Sequence, residues 1–287
     1  MPPNKNAAAL VSLLSGAVVW GLIWHPYRVL EGMGVSPALG AILTYSVAFL
    51  LGFPVLKPGR FKPNGILLWI ALTAGGCNLG YVLATVHGEV MRVLLLFYLA
   101  PLWTVLLARV LLNEKVGPGG TAVIGLSFAG AVVMLWRPSL GLPLPQNGAE
   151  WIGLASGFLF AATNVLIRKA DDLPIEIKSM AVFAGVIVVG LMTLPFEAAA
   201  VVLPPPSGWL LIGVIGLVLL VINFVVQYGL THTPASRAIV ILLFELVVAA
   251  FSSWLLAGEA MSLKEWIGGA MIVAASLFSG KLAVKES

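Results

Sequence analysis

Charge is scarce in this sequence. Of its 287 residues only 10% are charged, 16 Lys/Arg and 12 Asp/Glu, against roughly 25% in a soluble domain. So few charges cannot cover a 30.2 kDa body in water, which excludes soluble enzymes, nucleic-acid-binding modules and secreted scaffolds. The net charge of +4 is scattered over short loops and gathers on no face, so it is no footprint of a nucleic-acid partner. Cysteine is nearly absent. Cys77 alone permits no internal disulfide, and its place in an apolar run reads as a small buried side chain. No HExxH, P-loop or CxxC motif occurs, and His25, His87 and His232 are too scattered for a metal cluster. Neither a metal nor another cofactor is expected. The one pair of adjacent acids, Asp171-Asp172, sits in a loop beside Arg168 and Lys169 and reads as solvated ion pairing.

What fills the chain instead is apolar: 60% of its residues, with a mean hydropathy of +1.04. A helix needs about 20 apolar residues to cross about 30 Å of hydrocarbon. Ten segments qualify, near 8–25, 37–56, 64–86, 91–111, 119–136, 150–168, 176–196, 207–230, 235–256 and 263–281. Turn residues separate them, among them Pro26 and Pro37, Lys57-Pro58-Gly59-Arg60, Gly117-Pro118-Gly119 and Pro204-Pro205-Pro206. The expected fold is all-α, an integral membrane protein of ten transmembrane helices in a lipid bilayer. With the N-terminus inside, twelve Lys/Arg fall on the cytoplasmic side and four (Arg28, Arg92, Arg137 and Lys264) outside. That bias places both termini in the cytoplasm. A cleaved leader is not expected, because the n-region is a single lysine and the first apolar run is too long.

The two halves repeat. A shift of 145 residues lays Asn78 on Asn223, His87 on His232, Arg92 on Arg237 and Glu114 on Glu259 without a gap. Earlier in each half the offset is near 140, pairing Trp20 with Phe160 and Arg28 with Arg168. Each half holds five helices, an odd number, so the second copy enters the membrane from the opposite side. Two inverted five-helix repeats are expected, 1–140 and 141–287, divided in the Arg137–Ala149 stretch. Inverted repeats build transporters whose substrate site lies near the midplane between the halves, so a transporter is expected and an enzyme is not. A passive channel and a membrane-embedded enzyme on lipid precursors remain as alternatives. The enzyme would want acids, His or Ser clustered at one interface, and the sequence supplies no such cluster.

Two stretches, LFYLAPLWTVLLARVLLNE (Leu96–Glu114) and LFELVVAAFSSWLLAGE (Leu243–Glu259), resemble the paired fourth- and ninth-helix signatures of the drug/metabolite transporter superfamily, EamA type. The VVWG at Val18–Gly21 is similar to that family's first-helix start. Leu246 stands where the pattern has proline, and Asn113 where it has glycine. Within the superfamily the chain is most similar to bacterial aromatic amino-acid exporters. The resemblance implies a central cavity and export of amino acids or related metabolites by alternating access, with drugs or other metabolites as the alternative cargo. It also implies a bacterial inner membrane. Oligomeric state leaves no mark in the sequence.

The intramembrane polar and aromatic residues are the candidates for binding a small-molecule substrate. Glu245 is the one carboxylate deep within a span, about ten residues from its start. Such a group is paired, protonated or facing a wet cavity. It either titrates or meets a substrate ammonium, or it is a neutral group fixing its helix. Asn78 and Asn223 are repeat equivalents that bind substrate or bond neighbouring helices. Gln227 lies one turn after Asn223 on the same face. Trp20 and Trp24 share a face of the first helix, with Phe160 and Asn164 as their repeat equivalents, and stack on substrate or pack helices. Tyr81 and Tyr98 carry hydroxyls that need partners in hydrocarbon. Trp69, Trp136, Trp151, Trp209 and Trp266 read as interfacial anchors. Arg92 and Arg237 start their helices and Glu114 and Glu259 close them, at opposite interfaces where they read as orientation anchors that snorkel to water, with gating ion pairs that form alternately as the other reading. Gly153 and Gly157, in GxxxG spacing, allow close helix contact.

Overall fold

Twelve helices account for nearly all of the computed structural model, which describes residues 5–56, 64–87, 90–136, 138–140, 144–196, 202–257, 262–278 and 284–285. The first half holds α1 (Lys5–Gly32), α2 (Pro37–Gly52), α3 (Gly65–His87), α4 (Val90–Phe97), α5 (Ala100–Leu111) and α6 (Pro118–Leu135). The second holds α7 (Gly148–Lys169), α8 (Ile175–Thr193), α9 (Pro206–His232), α10 (Ala235–Leu242), α11 (Phe244–Ala257) and α12 (Leu263–Phe278). α4 and α5 form one span interrupted at Tyr98-Leu99, and α10 and α11 another interrupted at Leu243. Nine spans among the described residues are long and apolar enough to cross a membrane. The tenth, α12, has 16 described residues, about 24 Å of helix. The chain is thus an all-α membrane protein of ten spans.

Local chemistry sets the helix boundaries. Ser36 accepts a hydrogen bond from Leu39 N at 3.3 Å, and Pro37 at the first helical position needs no partner for its missing N–H. At α7 a reciprocal capping box forms. Asn147 Oδ1 accepts from Glu150 N at 2.9 Å while the Glu150 carboxylate accepts from Gln146 N at 2.8 Å and Asn147 Nδ2 at 3.0 Å. At the end of α5, Asn113 takes φ 56°, and the turn carries Glu114 N back to Ala108 O at 3.2 Å. Glycine is the usual occupant of such a left-handed position and asparagine the next best. That is why Asn113 can stand where the family pattern has glycine.

The helices pair across the halves. α1 packs on α9 and α11, and its repeat counterpart α7 packs on α3 and α4. α6 packs on α12, its own counterpart. Small residues permit the approach: a Cβ added at Gly130 of α6 would lie 2.8 Å from Gly268 O of α12. Gly153 and Gly157 do the same for α7, facing Val93 and the Phe97 carbonyl. The largest buried cluster gathers Leu13, Tyr45, Ile70, Phe183, Ile215 and Val226 from five helices. Outward faces are apolar too, with Leu50, Leu68, Val110, Leu210 and Leu255 exposed as lipid-facing positions. The five tryptophans read as anchors are all exposed. Lys115–Val116 pairs antiparallel with Val284–Lys285, so the α5–α6 link and the segment after α12 meet at one end of the bundle.

Candidate functional site

The two interrupted spans meet at the centre. Tyr98 lies in the break between α4 and α5, and a 145-residue shift carries it onto Leu243, the break between α10 and α11. Each break sits against the leading helix of the other half. A Cβ at Gly21 of α1 would lie 2.8 Å from Glu245 O, and one at Gly157 of α7 would run into Phe97 O. The α4–α5 break has Pro101 in the first turn of α5. The α10–α11 break has no proline, Leu246 standing in its place, yet the helix is interrupted all the same. Glu245 falls in the first turn of α11.

Tyr98 Oη donates to Glu245 Oε1 at 2.7 Å. This bond joins the two breaks and gives each polar group the partner it needs in hydrocarbon. Both side chains are only half-buried. Around them stands an aromatic wall. Phe97 is its hub, with ring centroids 5.2 Å from Tyr81, 5.3 Å from Tyr98 and 5.5 Å from Phe160. Tyr81 is 36% exposed, so its face remains open to a ligand. Asn78 and Tyr45 lie near each other on the adjoining helices α3 and α2. Cys77 and Tyr81 lie near the Glu245 carboxyl, and Cys77 is buried. Among the described residues no group of three or more His, Cys, Asp or Glu is arranged to hold a metal.

The remaining candidates take different places. Trp24 Nε1 donates to Ser252 Oγ at 3.0 Å, and Ser252 Oγ bonds Gly21 O at 3.1 Å. Its ring carries the Arg28 guanidinium 4.8 Å above it. Trp24 is therefore engaged in the α1–α11 joint. Trp20 is half-buried and packs against the main core cluster. Asn164, Asn223 and Gln227 are buried, and each has a side-chain polar atom without a protein partner. Phe97, Tyr45 and Ser252 were not singled out from the sequence. Phe97 is hidden there because a phenylalanine in an apolar run carries no polar signal.

Two expectations about charges need correction. Glu114 does not snorkel to water. It is 5% exposed, and its carboxylate accepts from Ala235 N at 3.0 Å, Ser236 N at 3.4 Å and Ser236 Oγ at 3.3 Å. Two orphan N–H groups at the start of α10 are thereby capped from the other half. Lys178, one of the twelve charges assigned to the cytoplasmic side, is fully buried in α8. Its Nζ donates to Thr231 Oγ1 at 2.5 Å and Ala170 O at 2.9 Å. Arg237 is half-buried on α10, and the side chains of His87, Arg92 and Glu259 lie outside the described residues. An apolar crevice of about 380 Å³, lined by Met134, Val247, Phe251 and Leu277, opens between α6, α11 and α12.

The sequence pattern of the EamA-like transporter family matches residues 7–136 and again 147–280. A riboflavin transporter of Rhizobium johnstonii is 25% identical over 258 residues, covering 84% of this chain and 80% of its own. A riboflavin transporter of Brucella anthropi is 24% identical over 261 residues, 85% of this chain and 88% of its own. An uncharacterized transporter of Archaeoglobus fulgidus is 28% identical over 246 residues, 82% and 86% respectively. None of these three bears the name of an aromatic amino-acid exporter, so they support the broad resemblance and not the narrower one. A solved crystal structure at 20% identity superposes with a TM-score of 0.79 over 97% of this chain and 99% of its own, a likeness of fold.

Proposed function

The chain belongs to the EamA-like transporter family, and from that premise we propose that it exports small amphipathic metabolites by alternating access, amino acids including aromatic ones first among them. The observation that carries this reading is the Tyr98–Glu245 bond between the two helix breaks. A carboxyl held at the break between α10 and α11 would be able to exchange its tyrosine partner for a substrate ammonium. Tyr81, Phe97 and Phe160 beside it offer a face for an apolar or aromatic side chain, and Trp20, Asn78 and Tyr45 complete the surround. The two halves, 1–140 and 141–287, would rock about this centre. The loop charges favour both termini in the cytoplasm, and the family resemblance favours a bacterial inner membrane. The end of the bundle carrying Glu114, Thr231 and Lys178 would then be the cytoplasmic one.

A second reading, a flavin as cargo, is favoured by the names of two relatives, since an aromatic wall also suits a planar heterocycle. Counterflow in proteoliposomes separates the two. Saturable exchange of L-phenylalanine and L-leucine is the expected result. Exchange of riboflavin alone would replace the amino-acid reading, and unsaturable flux of every solute would mark a channel.

A further inference from the structure

α7 and α9 enter the bundle from the same side, one span apart, and pack on each other. Each carries polar residues at four-residue spacing, Asn164 and Arg168 on α7, and Asn223, Gln227 and Thr231 on α9. Arg168 Nη1 donates to Thr231 O. Counting back one turn on both helices puts Asn164 level with Gln227, and a second turn puts Phe160 level with Asn223. The contact of Gly16 with Val226 and of Gly21 with Glu245 O sets the Asn223 turn beside the Tyr98–Glu245 centre. The polar seam therefore runs from that centre to the end closed by Arg168 and Lys178.

The last rung is fully bonded, but the middle ones are not. Lys178, 0% exposed, holds Thr231 Oγ1, Ala170 O and, at 3.4 Å, Ile167 O. Above it, Asn164 Nδ2, Gln227 Oε1 and Asn223 Oδ1 have no protein partner, although these residues are only 6%, 2% and 7% exposed. Amides whose task is to hold helices together bond one another across the interface. These are buried and make no hydrogen bond to each other. Buried polar groups left without partners destabilise a fold, and such groups persist where a ligand completes them.

We propose that the α7–α9 seam is a second binding station on the transport path, between the Tyr98–Glu245 centre and the closed end, taking a polar head that both donates and accepts. An amide offers both N–H donors and a carbonyl acceptor whichever way it is turned, so three amides suit a zwitterionic head. An ammonium meets the carbonyl oxygens and a carboxylate meets the N–H groups, with the Arg168–Lys178 rung beyond drawing the carboxylate end. The proposal rests on the transporter reading above and on the closed end being the cytoplasmic one.

The experiment pairs stability with side-resolved transport. Asn164→Leu and Gln227→Leu keep the approximate size of the side chains and remove the unpartnered atoms. Each variant should melt in detergent at or above the wild-type midpoint, by up to about 2–4 °C. Each should also raise the half-saturation for L-phenylalanine presented at the cytoplasmic face about tenfold, a loss of one hydrogen-bonded anchor. Half-saturation from the other face should stay within about twofold. A lowered midpoint in both variants, or an unchanged half-saturation, overturns the proposal and makes the amides helix glue. Asn164→Asp guards against misfolding as an explanation. It should weaken L-phenylalanine more than phenethylamine, which lacks the carboxylate, and equal weakening also overturns the station. If the wild type moves neither amino acid, the substrate reading of the preceding section fails by itself. Riboflavin then replaces phenylalanine as the probe, and the melting comparison still decides the station.

Discussion

Glu245 and Tyr98 divide the work of one hydrogen bond, and their removal has different consequences. Glu245→Gln keeps the shape and an acceptor for Tyr98 Oη but cannot ionise. The variant should fold, and its transport should lose its dependence on pH between about 5.5 and 8 if the carboxyl exchanges protons or meets an ammonium. Wild-type rate and pH profile in proteoliposomes would make Glu245 a structural group. Trp20 is argued by size. Trp20→Ala should slow exchange of an aromatic substrate more than that of leucine, by about 1 kcal/mol or roughly fivefold. Equal losses accompanied by less protein in the membrane would assign Trp20 to the core cluster it touches. At this scale the sequence exposed only part of the site. Glu245 and Tyr98 stand out because a carboxyl and a phenol are rare and expensive in hydrocarbon, while Phe97 looks like any other apolar residue. Lys178 counts in the sequence only as one of the twelve cytoplasmic-side charges, because a lysine near the start of a span is ordinarily solvated. Its burial depends on carbonyls from α7 and a hydroxyl from α9 that no local pattern announces.

Helix termini carry the next level of the argument. The capping box at Asn147–Glu150 can be read from four residues, because cap and capped groups lie in one segment. The Glu114 cap cannot, since donor and acceptor are about 120 positions apart, 121 by their numbering difference. Glu114→Ala should lower stability by about 1–2 kcal/mol, the usual loss for an N-cap, seen as a lower melting midpoint in detergent. It should also loosen the end where α5 meets α10. Cys77, the single thiol of the chain and buried in α3, reports whether that loosening spreads into the bundle. Faster labelling of Cys77 by a membrane-permeant maleimide is expected, and an unchanged rate would limit Glu114 to local capping. The interruptions at Tyr98-Leu99 and Leu243 escape sequence reading for another reason. Apolar composition continues straight through both, and only Pro101 marks the first.

For the molecule as a whole, number and pairing of spans follow from hydropathy and repeat, because a bilayer leaves a chain of this composition few other arrangements. The cross-half contacts of α1 with α9 and of α7 with α3 express the same duplication that aligns Asn78 with Asn223. Orientation is a separate matter, governed by the loop charges. A reporter inserted at position 142 should be active only when it requires the outer compartment. Activity of a cytoplasm-requiring reporter there would reverse the sidedness of every loop and place the Lys178 end outside. Lys178 and Glu114 are both buried at that end.

The missing proline at the second break makes the two copies mechanically unequal. Where Pro101 stands, the covalent ring forbids a straight helix through the first break. At Leu246 the backbone N–H is present and bonds Leu243 O at 3.1 Å, so nothing but packing keeps α10 from running on into α11. One hinge is welded and the other is only clamped. Leu246→Pro should weld the second hinge as well. Exchange would slow while the melting midpoint holds, and an unaltered rate would show that the clamp never opens during the cycle.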